Sequence, residues 1–307
     1  MTLPLRAETD TAPHLSPSEE AIVRSVLYAA VFDYPLTLSQ LRHTLIGSAQ
    51  APSEITAALR HSAALATLIE TRDGFIFPAG RADLIDVRRR REQRSRAFLA
   101  DHGPLLRLIA ALPYVRLLGL SGSVAHLNMD NGGDLDIFIV TRGARVWSTA
   151  VAVILLAKAL GKRRTLCANF IVADTALAFD QPDLFSANQV INLKPLVDDG
   201  TYRRLVDANP FVRGFYPNFH APAPAPLRLR QPAALRVGKR LAEAICWLPS
   251  ALAERCCRLA YRAYLRRRSA TWSSPDQVVL GDTVLKLHTR SHRATVISRF
   301  NSAVDGL

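Results

Sequence analysis

The sequence predicts an α+β fold, with a mixed-sheet core set between a small helix-and-hairpin module and a helical C-terminal region. Three observations predict it. Apolar residues at helical spacing run from Ser18 to about Ala63 and close on a hairpin. Short apolar runs of strand length follow at Val115–Leu120, at Ile137–Val140 and within Thr165–Val172. Amphipathic, arginine-rich segments then fill residues 228–268. A chain of 307 residues suits two or three domains. The expected division is a disordered tail over 1–15, the helix-and-hairpin module over 16–80, a basic helical connector over 81–112, the sheet core over 113–200 and a mostly helical region over 201–307.

In the first module, Ile22, Val26, Ala29 and Ala30 mark a helix capped by Ser16 or Ser18, with Glu19 and Glu20 in its first turn. Tyr34-Pro35 ends it. Thr37 then caps a second helix through Leu45, and Ser53-Glu54 opens a third through about Ala63. Leu68–Thr71, the turn Arg72-Asp73-Gly74 and Phe75–Phe77 read as a hairpin. This succession resembles a winged helix-turn-helix domain. Its third helix offers only Arg60 and His61 to a DNA groove, so a docking or packing module is expected, with a DNA reader as the alternative. A helix from about Arg81 to Leu112 carries the basic run Arg88–Arg91, read as a solvated connector or a phosphate-binding stripe.

The core is where the chemistry concentrates. Val115–Leu120 fits a buried strand that ends at Ser121-Gly122-Ser123, and Val124–Asn128 can start a helix. Glycine lets backbone approach a ligand, serine adds a hydroxyl, and free N–H groups at a helix start favour phosphate oxygens. Asn131-Gly132-Gly133 then turns into Asp134-Leu135-Asp136 and the apolar Ile137–Val140. Side chains alternate along a strand, so Asp134 and Asp136 share a face about 7 Å apart along the chain. Two carboxylates on one face suit Mg²⁺ (or Mn²⁺), which completes its shell with water and nucleotide phosphates.

Gly122-Ser123, the spacer, and Asp134-x-Asp136 entering a strand together resemble the DNA polymerase β-like nucleotidyltransferase superfamily, over roughly residues 113–180. The whole arrangement looks like bacterial nucleotidyltransferase-domain proteins with an N-terminal winged helix. The resemblance implies attack of a hydroxyl on the α-phosphate of a nucleoside triphosphate, with Gly122 and Ser123 holding the triphosphate and Asp134 and Asp136 acting as catalytic metal ligands. It also implies a third carboxylate on the next strand. That strand, Thr165–Val172, contains no acid; Asn169 is the matching position, with Cys167 and Ile171 expected on its face, and Asp174 lies just beyond. Asn169 and Asp174 are therefore further metal-ligand candidates. The residues leave two functions open: a Mg²⁺-dependent nucleotidyltransferase with an unidentified hydroxyl acceptor on a small molecule, protein or nucleic acid, or a nucleotide-sensing, nucleic-acid-binding regulator of little or no turnover.

Outside the core, His126 reads as a capping residue or a phosphate contact, and Lys194 as a surface lysine or a counter-charge to a triphosphate. His288 and His292 stand at the i, i+4 spacing of a helical metal pair but lack a third ligand, so they read as solvent-facing. Leu241, Ile245, Trp247, Leu252, Leu259, Tyr261 and Leu265 alternate with arginines on two helices broken at Pro249. These read as a layer packed on the core with an arginine-rich outer face, acidic membranes and nucleic acid being the other fits.

Composition bounds the rest. The formal charge of +13 favours phosphate-bearing or anionic partners. Cys167, Cys246, Cys256 and Cys257 lack paired C-x-x-C spacing and read as reduced thiols. The longest apolar run, Ala150–Ala157, is too short to span a bilayer and closes at Lys158. The Pro/Ser/Thr-rich start has no apolar segment of the kind a signal peptide needs, so a cytoplasmic protein is expected.

Overall fold

The protein is seen in a computed structural model that describes residues 14–229, 232–245 and 247–306; the side chains of Asn169, Trp247 and Leu248 lie outside the description. The expected tail over 1–15 thus falls outside the described residues except at His14 and Leu15. The chain forms mixed α and β structure in two compact units. Of the described residues, one unit holds those up to Ile85, Tyr216–Asn218 and those from Phe300 on, and the other holds those of Asp86–Phe215 and Phe219–Arg299.

The first unit runs α1 (Pro17–Ala30), β1 (Leu36–Thr37), α2 (Leu38–His43), α3 (Pro52–His61), α4 (Ala63–Leu68), β2 (Ile69–Arg72) and β3 (Phe75–Pro78). Its helix starts are set locally. Ser16 and Glu19 form a reciprocal capping box on α1, and Thr37 and Gln40 form one on α2, each satisfying otherwise orphaned N–H groups. The strands make a three-stranded sheet in the order β1-β3-β2. Ile22, Val26, Leu41, Ile55, Leu65 and Ile76 form the core. Periodicity does not reveal β1 or α4, because two residues of strand and about one and a half turns of helix carry almost no periodic signal.

α5 (Asp83–Ala111) is a long helix in which the division between units falls, between Ile85 and Asp86. The second unit continues with β4 (Val115–Leu120), α6 (Gly122–Ala125), β5 (Leu135–Thr141), α7 (Val146–Ala159), β6 (Leu166–Ala173), α8 (Leu184–Asn192), β7 (Lys194–Asp198), α9 (Thr201–Asp207), α10 (Phe211–Phe215), α11 (Ala233–Ile245), α12 (Trp247–Arg267), β8 (Val278–Leu280), β9 (Val284–Leu287) and α13 (Arg293–Asp305), the last reaching into the first unit. Its sheet is open and mixed, ordered β7-β4-β5-β6-β9-β8, with β5 parallel to β6 and the other neighbours antiparallel.

One face of that sheet is the main core. Leu118, Leu120, Leu135, Ile137, Ile139, Ile171 and Leu285 pack there with Leu105, Leu106 and Ile109 of α5 and Trp147, Ala150 and Val153 of α7. Period-2 alternation puts Asp136, Phe138 and Phe170 on the opposite face. There the close approach of Leu193 leaves no room at Gly119, whose Cβ would lie 2.8 Å from the leucine side chain.

Residues 201–307 are mostly helical, and the short strands β8 and β9 within them, like β7 before them, join the large sheet. Pro249 does not separate two helices; it sits in the first turn of α12, where its missing N–H costs nothing. His288 follows β9 and His292 precedes α13, so the two do not share a helix.

Candidate functional site

The Gly122-Ser123 turn and the two aspartates meet at one end of the large sheet. β4 and β5 pair antiparallel, and the Ser121 N–H donates to the Asp136 carbonyl at 3.0 Å, so the turn leaving β4 passes over the start of β5. Gly122 has φ +64°, and a Cβ placed on it would stand 2.2 Å from Asp136 Oδ2. Two independent constraints therefore require glycine here: left-handed backbone and contact with a carboxylate. The four-residue helix α6 begins at Gly122 itself, with Gly122 exposed and Ser123 half-buried.

Asp134 is exposed and sits just before β5; Asp136 lies in the strand and is half-buried. Burial, reinforced by the Asp134 charge and opposed by a hydrogen bond from Cys167, pushes the Asp136 carboxyl up to about 7. An aspartate so raised is a group whose charge the fold leaves uncompensated.

The loop that delivers Asp134 is anchored by α5. Ser95 Oγ accepts from the Met129 N–H at 3.0 Å, Arg94 donates to the Met129 carbonyl at 3.2 Å, and Arg91 donates to the buried Asn128 side chain at 3.3 Å. Asn128 N–H closes back on the Ser123 carbonyl at 2.8 Å. Gly133 is also sterically required, since a Cβ there would lie 2.3 Å from Met129 Cγ. Within the basic run of α5, Arg88 is buried and Arg89 and Arg90 are exposed, while Arg91, with Arg94 beyond the run, holds the loop. The sequence carries the charge run but no mark of which arginines turn inward.

The next strand departs from expectation. The β5–β6 register shifts between Asp136↔Cys167 and Phe138↔Phe170, so β6 carries an extra residue there. The bulge reverses the alternation. Cys167 pairs with Asp136 on the carboxylate face, while Ile171 pairs with Ile139 on the core face, and the two do not share a face as period 2 alone required. Asn169 lies within this shifted stretch, and its side chain is outside the description. Asp174 is not a partner of the pair. Its N–H donates to the Thr141 carbonyl and its carboxylate accepts from Gly143 N–H at 2.8 Å, at the far end of β5. That is about 17 Å from Asp136 at the rise of a strand, so the metal role considered for Asp174 is withdrawn.

The other sequence candidates lie apart. His126 is the C-cap of α6, its N–H donating to the Ser123 carbonyl. Lys194 is buried, not a surface residue, and burial lowers its ammonium to about 8. It pairs with Leu120, and by register it shares the face opposite Asp136. His288 is half-buried, not solvent-facing, and burial, with the nearby Lys286 charge, lowers it to about 4.

No family profile, curated protein or solved structure matches the chain. The site must therefore be read from its own chemistry. Among the described residues, no group of three or more His, Cys, Asp or Glu side chains is placed to hold a metal ion. What the structure does assemble is a pair of hard carboxylates, one of them charged only against a desolvation cost, beneath an exposed glycine turn. Such a donor set fits a divalent cation that takes its remaining ligands from water and phosphate, as Mg²⁺ does. No helix among the described residues is long and apolar enough to cross a membrane.

Proposed function

We propose that this chain is a Mg²⁺-dependent nucleotidyltransferase of the polymerase β-like type, moving a nucleoside monophosphate from a nucleoside triphosphate to a hydroxyl acceptor. One observation carries the reading: the left-handed Gly122 lies against Asp136 so closely that no side chain fits between them. A turn built to bring bare backbone onto a carboxylate suits a ligand in which phosphate and cation are adjacent.

In this reading the exposed Gly122 backbone and the Ser123 hydroxyl bind phosphate oxygens, and Asp134 and Asp136 hold the cation. When bound, the metal neutralises phosphate charge and polarises the phosphorus under attack. Asp136 must lose its proton to take part, and the cation's charge favours that loss. Arg91, Arg94 and Ser95 act at one remove, fixing the loop that sets where Asp134 stands. In the first unit, the four helices α1–α4, with β1 between the first two, and the β2–β3 hairpin that closes a three-stranded sheet support a winged-helix reading for that part of the chain.

The test is incubation with each common triphosphate and Mg²⁺ in cell extract, following pyrophosphate release and the labelled product. Wild type should turn over, and Asp134→Asn and Asp136→Asn should each lower release by about 100-fold or more, the scale of losing charge stabilisation at a reacting phosphate. Unchanged turnover in both variants would sink the assignment. Failure with every triphosphate, joined to salt-sensitive duplex binding, would favour the nucleotide-sensing regulator.

A further inference from the structure

The helices α11 and α12 are docked the wrong way round for a packing layer. On α11 the polar side faces the body of its unit: Lys239 Nζ donates to the carbonyls of Ala110 and Val115, and Glu243 accepts from the Tyr114 N–H at 2.8 Å and from Arg116 at 3.2 Å. At 100° per residue, Val237, Leu241 and Ile245 form a stripe on the other side, and they are 54%, 56% and 77% exposed.

α12 behaves in the same way. Its inner side carries Glu254, which is buried and accepts from the N–H groups of Trp147 and Ser148 at 2.9 and 2.8 Å, followed by Tyr261 and Leu265 against the core. Its outer side carries Leu252 and Leu259, 66% and 70% exposed, with Cys256 and Ala263 beside them. The sequence reading, a layer with its apolar face on the core and arginines outside, is overturned for α11 and for most of α12. Hydrogen bonds from charged side chains dock these helices, and aliphatic side chains are left in water.

The charge around the stripes has one sign. Residues 225–268 hold eleven Lys and Arg against two acids, Glu243 and Glu254, and both acids are turned inward and engaged. Exposed Arg240, Arg255, Arg266 and Arg267 flank the apolar stripes. A second copy of this chain would bring arginines against arginines, and a nucleic acid would leave the aliphatic stripes in water. An anionic bilayer surface meets both features at once, taking the leucines into its interface and the guanidinium groups onto its headgroups.

We propose that α11 and α12 form a peripheral docking surface for anionic phospholipid membranes, lying in the interface without crossing it. The proposal does not depend on the nucleotidyltransferase reading. It is tested by sedimenting the full chain with vesicles of phosphatidylcholine alone and of phosphatidylcholine mixed with phosphatidylglycerol. The protein should sediment with the anionic vesicles, much less with the neutral ones, and less again as salt is raised. Leu241→Glu combined with Leu259→Glu should weaken partitioning by about 30-fold or more, and Arg255→Ala combined with Arg266→Ala by about 20-fold, at the scale of a few buried methylenes and of basic residues near a charged surface. All four positions are exposed, so circular dichroism should show these variants folded. The proposal is overturned if folded wild type ignores anionic vesicles or if the leucine variant binds like wild type. It is equally overturned if light scattering shows a dimer that Leu241→Glu separates, or if the surface binds duplex DNA and not vesicles.

Discussion

Two regions of the second unit break the usual rule of apolar inside and charged outside, in opposite senses. At the start of β5 a carboxylate is drawn partly inside, beside another carboxylate and under a glycine whose left-handed backbone and close approach leave no space for a side chain. On α11 and α12 aliphatic side chains are put outside while glutamates are put in. Each arrangement costs free energy in the isolated protein, and under the two proposals above each would be relieved by a different kind of ligand: a cation in the first case, an apolar and anionic surface in the second. Local rules fail where a protein meets something other than water. The difference also separates what substitutions should do, because the inward groups carry stability and the outward ones do not.

The largest effect on stability should come from the inner side of α12. Glu254→Ala removes the acceptor for the N–H groups of Trp147 and Ser148 at the start of α7, and urea unfolding should show a loss of about 3 kcal/mol. A loss below about 0.5 kcal/mol would mean that the polar side of α12 does not hold it in place, and the inside-out reading would fail with it. Gly122→Ala comes next. Its methyl must displace the Asp136 carboxylate and adopt a left-handed backbone, so about 2 kcal/mol should be lost, with Mg²⁺ response lost too. A well-tolerated alanine would show that the turn does not press on the carboxylate.

The smallest of these effects is a pH dependence. The folded protein keeps a proton on Asp136 up to about 7, whereas the unfolded chain releases it near 3.8. The stability this proton contributes is fully present below the unfolded value and is lost as pH rises through the folded one. Asp136→Asn has nothing to lose over that range. Its stability relative to wild type should therefore improve by about 1–2 kcal/mol between pH 4 and pH 8, allowing for solvent screening at a half-buried group. Thermal unfolding at the two pH values checks this, and a constant difference between the proteins would place Asp136 in ordinary water. Millimolar Mg²⁺ at pH 8 should narrow the gap by stabilising wild type alone.

Much of this was legible in the residues. The capping boxes at Ser16 and Thr37, the hairpin around Asp73-Gly74 and the apolar strands β4 and β5 follow from patterns a few residues long, whereas the contact of Gly122 with Asp136 is made by the pairing of β4 with β5. The two arginine-rich helical stretches show where legibility stops. α5 and α12 have similar composition, yet α5 buries Leu99, Leu105, Leu106 and Ile109 while α12 leaves Leu252 and Leu259 outside. Periodicity reveals that a stripe exists; it carries nothing about which side the rest of the protein offers. For the same reason the face of Cys167 could not be read, because an unpaired residue in β6 is defined only against its neighbour β5.

By itself, then, the sequence determined the helix starts, the turns and the core strands, because caps, turn conformations and alternation are settled by residues in immediate succession. Tertiary structure alone decided that β7, β8 and β9 complete the large sheet, that a bulge brings Cys167 to Asp136, that Asp174 stands at the far end of β5, and that Leu241 of α11 and Leu252 and Leu259 of α12 turn outward. Those outcomes depend on partners distant in the chain. Which partner wins is set by the balance of burial, hydrogen bonding and charge over the whole unit.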